Sequence, residues 1–152
     1  MLGVLARGTD YLNPGVGHPV QPTYEEVIER AREIMQECHC NKIFVATEDE
    51  NILSEMKKEF GENLLYVEQK RYQGTQKDLL GHLSDYKTDA VAMNGAYLAA
   101  MHYLAQCKCF FGGLTTGTVG VYLLSDGFEK FEYWYKGTHG VSDKKTLDIS
   151  KL

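Results

Sequence analysis

The sequence predicts an α/β fold in which a parallel sheet carries helices on both faces. Short apolar runs that suit buried strands alternate with longer stretches in which apolar residues recur at helical spacing. Such alternation implies parallel strands joined by right-handed crossovers. The 152 residues, 43% of them apolar, suffice for one domain with a proper core. We expect a three-layer Rossmann-like domain over residues 1–140, with strand order 3-2-1-4 and a possible further edge strand, and a polar tail over residues 141–152.

The first half of the chain contains three predicted strands and two predicted helices. Strand one covers residues 1–6, strand two residues 42–47 and strand three residues 63–67. A Thr-x-x-Glu capping box begins each helix, with Thr23 and Thr47 as the capping residues. Apolar residues in both helices are spaced so that one face is buried.

The second half begins with a polar, weakly periodic stretch over residues 68–87, which indicates a loop. An alanine-rich helix follows over residues 88–106, and its small residues suit close packing on a sheet. Strand four covers residues 109–112, and a turn over residues 113–118 leads into a helix that ends at Leu124. Aromatic residues alternate after this helix, which indicates a strand that packs one face on the body of the domain.

Charge and hydropathy exclude some classes of protein. The net charge of −5 argues against a general nucleic-acid binder, which is usually basic. No apolar run approaches the roughly 20 residues of a membrane span. The N-terminal segment begins with apolar residues, but Arg7 and Asp10 interrupt it, so it does not read as a signal peptide. We therefore expect a cytoplasmic protein that spans no membrane and binds no nucleic acid.

The four cysteines form two Cys-x-Cys pairs, Cys38 with Cys40 and Cys107 with Cys109. Such pairs could hold zinc or could be small buried hydrophobic residues. Each pair leads into a strand, and the two strands should flank strand one on opposite sides, which places the pairs about 10 Å apart. Since zinc needs ligands within about 2.3 Å, we expect no metal.

The predicted strand order brings two distant segments together. Strands one and four are neighbours at the topological switch point, and their carboxyl ends open into one crevice, where such folds bind ligands. Strand one delivers Arg7, Gly8, Thr9 and Asp10 to this crevice. Strand four delivers Gly113, Thr115, Thr116, Gly117 and Thr118.

These two segments suit an anionic ligand. The guanidinium of Arg7 can bind phosphate through two hydrogen bonds. Glycines let the backbone approach closely, threonine hydroxyls donate hydrogen bonds, and a helix N-terminus favours negative charge. The Lys of a Walker loop is missing. Taken alone, the second segment could also be a tight strand-to-helix turn with Thr caps.

Other residues near this crevice have more than one interpretation. Asp10 could be a general base, an acceptor for sugar hydroxyls, a partner of Arg7 or a residue that caps a loop. Thr47 and Asp49 lie at the carboxyl end of strand two, where ribose or base contacts fall in such folds, although helix capping already accounts for Thr47. His18 could contact a ligand or simply order its loop.

The order of these motifs resembles the C-terminal half of the α-1,6-fucosyltransferase and O-fucosyltransferase superfamily. The motifs are Arg-Gly-Thr-Asp after strand one, a His-Pro loop, Val-Ala-Thr-Glu-Asp on strand two and the Gly/Thr turn after strand four. The family's first motif reads roughly His-Val-Arg-Arg-Thr-Asp, its second reads Leu-Ala-Thr-Asp-Asp, and its third lies in a Ser-rich turn. The resemblance covers residues 2–124.

The resemblance implies half of a GT-B glycosyltransferase that uses GDP-fucose without a metal or other cofactor. It implies that Arg7 contacts the β-phosphate and is essential for catalysis. The family's hydroxyls that bind diphosphate fall on Thr115 and Thr116, and its motif aspartate falls on Asp10. Because a GT-B enzyme needs two Rossmann-like domains, the chain would be the donor-binding half. Its partners would be the missing N-terminal half, a nucleotide sugar and a glycan acceptor.

The chain departs from the family at four points. Leu5 replaces the motif histidine, Gly8 replaces the second arginine, and Lys108 stands where an acidic residue reads guanine. The proposed catalytic glutamate has no counterpart between Asp10 and His18, so Asp10 is only a fallback base. These departures leave two alternatives: a non-catalytic nucleotide or anion-binding module, and a structural domain that forms homo-oligomers through its exposed cleft face.

Overall fold

A computed structural model describes residues 1–13, 17–74, 83 and 87–139 and shows a five-stranded parallel sheet. The strand order is β3-β2-β1-β4-β5, which confirms the predicted order and adds the edge strand beside β4. The predicted tail, residues 141–152, lies outside the described residues. The strands are β1 (Leu2–Leu5), β2 (Ile43–Ala46), β3 (Leu64–Tyr66), β4 (Cys109–Gly113) and β5 (Lys130–Trp134).

Helices cover both faces of the sheet, which confirms the three-layer α/β fold. The α-helices in the described part of the chain are α1 (Tyr24–Glu37), α2 (Glu50–Phe60), α3 (Ala90–Ala105) and α4 (Thr116–Leu124). Apolar residues of α1 and α2 form one core cluster with the sheet, and residues of α3 and α4 form a second cluster on the opposite face. Short 3-10 helices cover Thr9–Leu12 and Gly61–Asn63.

The central strands are buried on both faces, which explains their unbroken apolar sequences. In β1, Leu2 and Val4 join the α1–α2 core, whereas Leu5 joins the α3–α4 core. The large side chains of Phe110 and Phe111 are both fully buried but lie in opposite cores. Period-two alternation therefore divides each strand between two cores.

Helix α1 begins and docks as its sequence predicts. The Thr23 hydroxyl accepts a hydrogen bond from the Glu26 amide, and the Glu26 carboxylate accepts one from the Thr23 amide, so the capping box is confirmed. Arg30 donates two 2.7 Å hydrogen bonds to the carboxylate of Glu132 on β5. This pair ties α1 to the edge strand.

Helix α3 packs only in part through the small residues that its sequence offers. Ala100 is buried, but Ala92 and Gly95 are exposed, and the larger Met101 and Leu104 fill the core instead. The helix is apolar on all sides, so its pattern did not reveal which side faces the sheet. None of the helices in the described part of the chain has both the length and the apolar character needed to cross a bilayer.

Replacing Thr23 with Ala should destabilise the protein by about 1 kcal/mol, because the N-terminal amides of α1 lose a capping hydroxyl. The melting temperature should fall by about 2–4 °C in a chain of this size. Thr23→Ser keeps the hydroxyl and serves as the control. Equal melting temperatures for the Ala and Ser variants would contradict the capping role.

Candidate functional site

Two carboxylates at the end of β2 hold the loop that follows β1. Glu48 Oε1 accepts a 2.9 Å hydrogen bond from the Gly8 amide, and Asp49 Oδ2 accepts one of 3.2 Å from the Thr9 amide. The single hydroxyl proton of Thr9 is shared between Glu48 Oε1 (3.1 Å) and Asp10 Oδ1 (3.2 Å). Thr9 is fully buried with a left-handed φ of 46°. These contacts hold the loop in a conformation that costs a non-glycine residue free energy.

Asp49 also caps helix α2, which corrects the predicted capping box at Thr47. Asp49 Oδ1 accepts hydrogen bonds from the amides of Asn51 (2.8 Å) and Ile52 (3.2 Å). The Thr47 hydroxyl instead accepts a 3.1 Å hydrogen bond from the Asp49 amide. The helix begins at Glu50, two residues later than a Thr47 cap requires, because Asp49 Oδ1 is the capping group, and Asp49 Oδ2 is left to bind the first loop.

Arg7 lies at the centre of this edge of the sheet and is paired with acidic residues. Its Nε lies 3.0 Å from Glu48 Oε2, and an Nη lies 3.6 Å from Asp10 Oδ1. Burial alone would lower the pKa of Arg7, but Glu48, then Tyr11 and Asp10, outweigh it, so the pKa lies above its ordinary value. The guanidinium therefore stays charged although its side chain is only 19% exposed.

Stacked rings support the outer side of Arg7. Its guanidinium carbon lies 4.3 Å from the centroid of the Tyr11 ring. The imidazole of His18 stacks on Tyr11 at 4.1 Å with an angle of 12° between the rings. Nε2 of His18 is buried without a hydrogen-bond partner. The ring of His18 thus contacts the loop that carries Arg7, and its carbonyl accepts a 2.9 Å hydrogen bond from the His139 amide.

The turn between β4 and α4 uses most of its hydroxyls to begin the helix. The Thr115 hydroxyl accepts a 3.2 Å hydrogen bond from the Thr118 amide, and the Thr118 hydroxyl donates to the Gly113 carbonyl. Thr118 is fully buried, whereas Thr116 is exposed. The amides of Thr116 and Gly117, at the first turn of α4, have no carbonyl within the helix to bind. They are the groups this turn can offer to an anion.

Tyr97 on α3 connects the two predicted segments. It lines a cavity of about 40 Å³ together with Arg7 and Glu48. Its hydroxyl also lies 2.8 Å from the point where a Cβ on Gly117 would sit. The structure thus brings Arg7 and the start of α4 to one crevice, with the phenol of Tyr97 between them. Tyr97 is not among the predicted site residues, because the uniformly apolar sequence of α3 does not indicate which side faces the site.

The larger space beside Arg7 lies on the other side of its side chain. A cavity of about 350 Å³ is lined by Arg7, by Tyr24 at the start of α1 and by Asn51 and Ile52 at the start of α2. This volume falls in the range of small-molecule sites, whereas 40 Å³ has room for about one water molecule. A ligand of nucleotide size therefore fits on the α1–α2 side of Arg7 better than in the small cavity between Arg7 and α3.

Lys108 lies far from this crevice. Its Nζ donates a 2.8 Å hydrogen bond to the Cys38 carbonyl and lies 2.9 Å from Glu129 Oε2. It precedes β4, at the amino edge of the sheet, whereas Gly113 ends the strand. Five residues of strand separate the two positions by about 16 Å. The identity of residue 108 therefore gives no information about base preference at the carboxyl edge.

The cysteines are arranged differently from the expectation of two pairs held apart. Cys38, Cys40 and Cys109 lie in the same core, and burial, then the neighbouring Cys38, raises the pKa of the Cys109 thiol to about 12. Cys38 lies at the end of α1, and this helix packs over β1, between β2 and β4. The distance between Cys38 and Cys109 therefore depends on where the helix ends and not on the spacing of β2 and β4. Only Cys107 points into the opposite core. Within the described ranges, no three His, Cys, Asp or Glu side chains are grouped to hold a metal ion.

No protein-family model matches the chain, and no curated protein sequence is similar to it.

Replacing Gly8 with Ala should destabilise the protein by about 2–3 kcal/mol, because the new Cβ would lie 2.2 Å from Asp49 Oδ2. Asp49 cannot move away without losing its hydrogen bonds to α2. Gly95→Ala is the matched control, since nothing lies within 4 Å of its new Cβ, and it should stabilise α3 by about 0.5–1 kcal/mol. Denaturant titration measures both, and a Gly8→Ala variant as stable as the parent would disprove the tight contact.

Thiol labelling should separate the four cysteines. Cys107, whose pKa burial raises to about 11, and Cys109, at about 12, carry almost no thiolate at pH 8. Iodoacetamide should therefore modify the partly exposed Cys40 at least tenfold faster than either of them in the native protein. Peptide mass spectrometry after timed quenching gives the rates, and labelling in denaturant shows that every site can react. Rapid native labelling of Cys109 would contradict the packing described.

Proposed function

We propose that this chain is the donor-binding domain of a metal-independent, inverting glycosyltransferase similar to fucosyltransferases. Its donor would be GDP-fucose or another nucleotide sugar, and its acceptor a glycan. A second Rossmann-like domain would complete the cleft. The observation that carries this proposal is the position of Arg7, a charged and largely buried guanidinium at the carboxyl end of β1 that borders a cavity of ligand size.

In the proposed reaction, Arg7 stabilises the negative charge that develops on the departing diphosphate. A base removes the proton from an acceptor hydroxyl, whose oxygen then displaces the diphosphate from the sugar and inverts the anomeric carbon. Asp10 is the nearest candidate for this base within the two predicted segments.

Carboxylates around Arg7 support a ligand that carries hydroxyls beside its phosphates. Asp10, Glu48 and Asp49 are all buried at this edge of the sheet. Carboxylate oxygens accept hydrogen bonds from ribose and sugar hydroxyls, and a nucleotide sugar presents such hydroxyls on both sides of its diphosphate. A bare phosphate would meet the same negative charges without this compensation. We also propose a cytoplasmic location, where the four free cysteines would stay reduced.

A second candidate function is a nucleotide or anion-binding module without catalysis. The contacts of Asp10 favour it, since this carboxylate accepts a hydrogen bond from the Thr9 hydroxyl and lies 3.6 Å from Arg7. A base held in this way would have to exchange partners before it could take a proton. This alternative predicts nucleotide binding without transfer, even when the complementary domain is supplied.

Calorimetric titration with GDP, GDP-fucose, UDP and ADP tests the proposal. GDP and GDP-fucose should bind at least tenfold more tightly than UDP or ADP, and excess EDTA should leave the heats unchanged. Arg7→Gln should weaken GDP binding at least tenfold, because a charge-assisted contact to phosphate is lost.

Arg30→Gln is the matched control for this titration. Arg30 is also an arginine paired with carboxylates, but it joins α1 to β5 away from the crevice. Its loss should lower the melting temperature and leave GDP affinity unchanged. Equal GDP affinity in the parent and a folded Arg7→Gln variant would remove Arg7 from the site, and binding that requires a divalent metal would overturn the metal-independent mechanism.

A further inference from the structure

The two helices on one face of the sheet carry no charged residues. The sixteen residues of α3 and the nine residues of α4 include no Asp, Glu, Lys or Arg, although 24% of the whole chain is charged. Helices α1 and α2, on the opposite face, are amphipathic and place their many charges towards solvent. A helix that is apolar on all sides is normally covered on all sides.

Much of this apolar surface is exposed in the single chain. The exposed fractions are 90% for Val91, 65% for Leu98, 74% for Leu123 and 60% for Leu124. We call these four residues the α3–α4 face. Scattered exposed leucines are ordinary on a protein surface, but a group of them on two helices without charges is typical of an interface.

The α3–α4 face is one surface and not two. Val91 and Leu98 are seven residues apart and therefore lie on one stripe of α3. Helices α3 and α4 pack against each other, and Leu124 borders the same depression as His102, one turn after Leu98. Leu123, beside Leu124 in the sequence, is exposed on the outer side of α4. The exposed side chains thus run across the joint between the two helices.

We propose that a second copy of this chain covers the α3–α4 face through a two-fold symmetric contact. Such a contact brings each surface against itself, so a charged surface would repel its own copy. The net charge of −5 is carried outside α3 and α4, so the exposed side chains of this face are uncharged, and Asp126 lies only at its end, in the depression that Leu124 borders. The inference does not depend on the proposed function.

The dimensions of the face suit a dimer of modest affinity. Helix α3 is about 24 Å long at 1.5 Å per residue, and two packed helices form a face about 20 Å wide. A two-fold contact would bury on the order of 1,000 Å² in total, at the lower end of specific interfaces. We therefore expect association in the micromolar range and not a permanent dimer.

Sedimentation equilibrium of the full chain between about 5 and 500 µM tests this proposal. The weight-average mass should rise from the 17.2 kDa of the monomer towards twice that value. Leu98→Glu and Leu123→Glu should each weaken association at least tenfold, because each buries a charge at the contact. Gln36→Glu, which adds the same charge at an exposed position of α1, is the control and should leave association unchanged.

Two results would overturn the proposal. One is a monomeric mass at 500 µM, which would mean that something other than a second copy covers the face or that it stays open. The other is a dimer that neither leucine substitution weakens, or that Gln36→Glu weakens equally. Far-ultraviolet circular dichroism must show that every variant is folded. Because both leucines are largely exposed in the monomer, their substitution should preserve the fold.

Discussion

The carboxylates of Glu48 and Asp49 fix the arrangement on which the rest of this edge of the sheet depends. They follow β2 in the chain and accept hydrogen bonds from the amides of Gly8 and Thr9, two consecutive residues after β1. Hydrogen bonds to a charged acceptor are among the stronger ones in proteins, and burial increases their importance. Asp49 uses its second oxygen to begin α2, so the position of that helix and the path of the first loop are set by one side chain. The left-handed backbone of Thr9 is maintained because its hydroxyl and its amide are both bound.

The two helical layers show how differently sequences can specify packing. Helices α1 and α2 have one apolar stripe each, so the stripe determines which side meets the sheet. Helices α3 and α4 have no such stripe, and the shape of the side chains decides instead. The end of α3 approaches the sheet closely at Gly3 of β1, because glycine has no side chain. A Cβ at this position would lie 3.0 Å from both Cys107 and Leu104.

Most of the fold could be predicted from the sequence, because strand order follows from alternation of strands and helices and from crossover handedness. The convergence of the β1 and β4 loops followed from that order alone. Side-chain partners could not be predicted in the same way. Thr47 fits a capping pattern, yet Asp49 caps α2 with one carboxylate oxygen and binds the amide of Thr9, forty residues away, with the other. The contact between Cys38 and Cys109 depends on where α1 ends above the sheet, a distance that strand spacing does not give. The roles of the site residues in binding and catalysis stay predictions.

Arg7 has two electrostatic tasks that compete, and the competition limits which ligands the crevice can accept. The buried carboxylates of Asp10 and Glu48 need the guanidinium beside them, since an unpaired buried charge is costly. An incoming phosphate must therefore share Arg7 with these groups. The edge of the guanidinium towards Glu48 is engaged at 3.0 Å, whereas its contact with Asp10 is looser at 3.6 Å. In the proposed function, phosphate would bind at the looser edge, and Asp10 would keep the Thr9 hydroxyl but share the charge of Arg7 with the ligand. A sugar hydroxyl beside the phosphate would donate a further hydrogen bond to this carboxylate, which is the physical reason to favour a nucleotide sugar over inorganic phosphate as the proposed ligand.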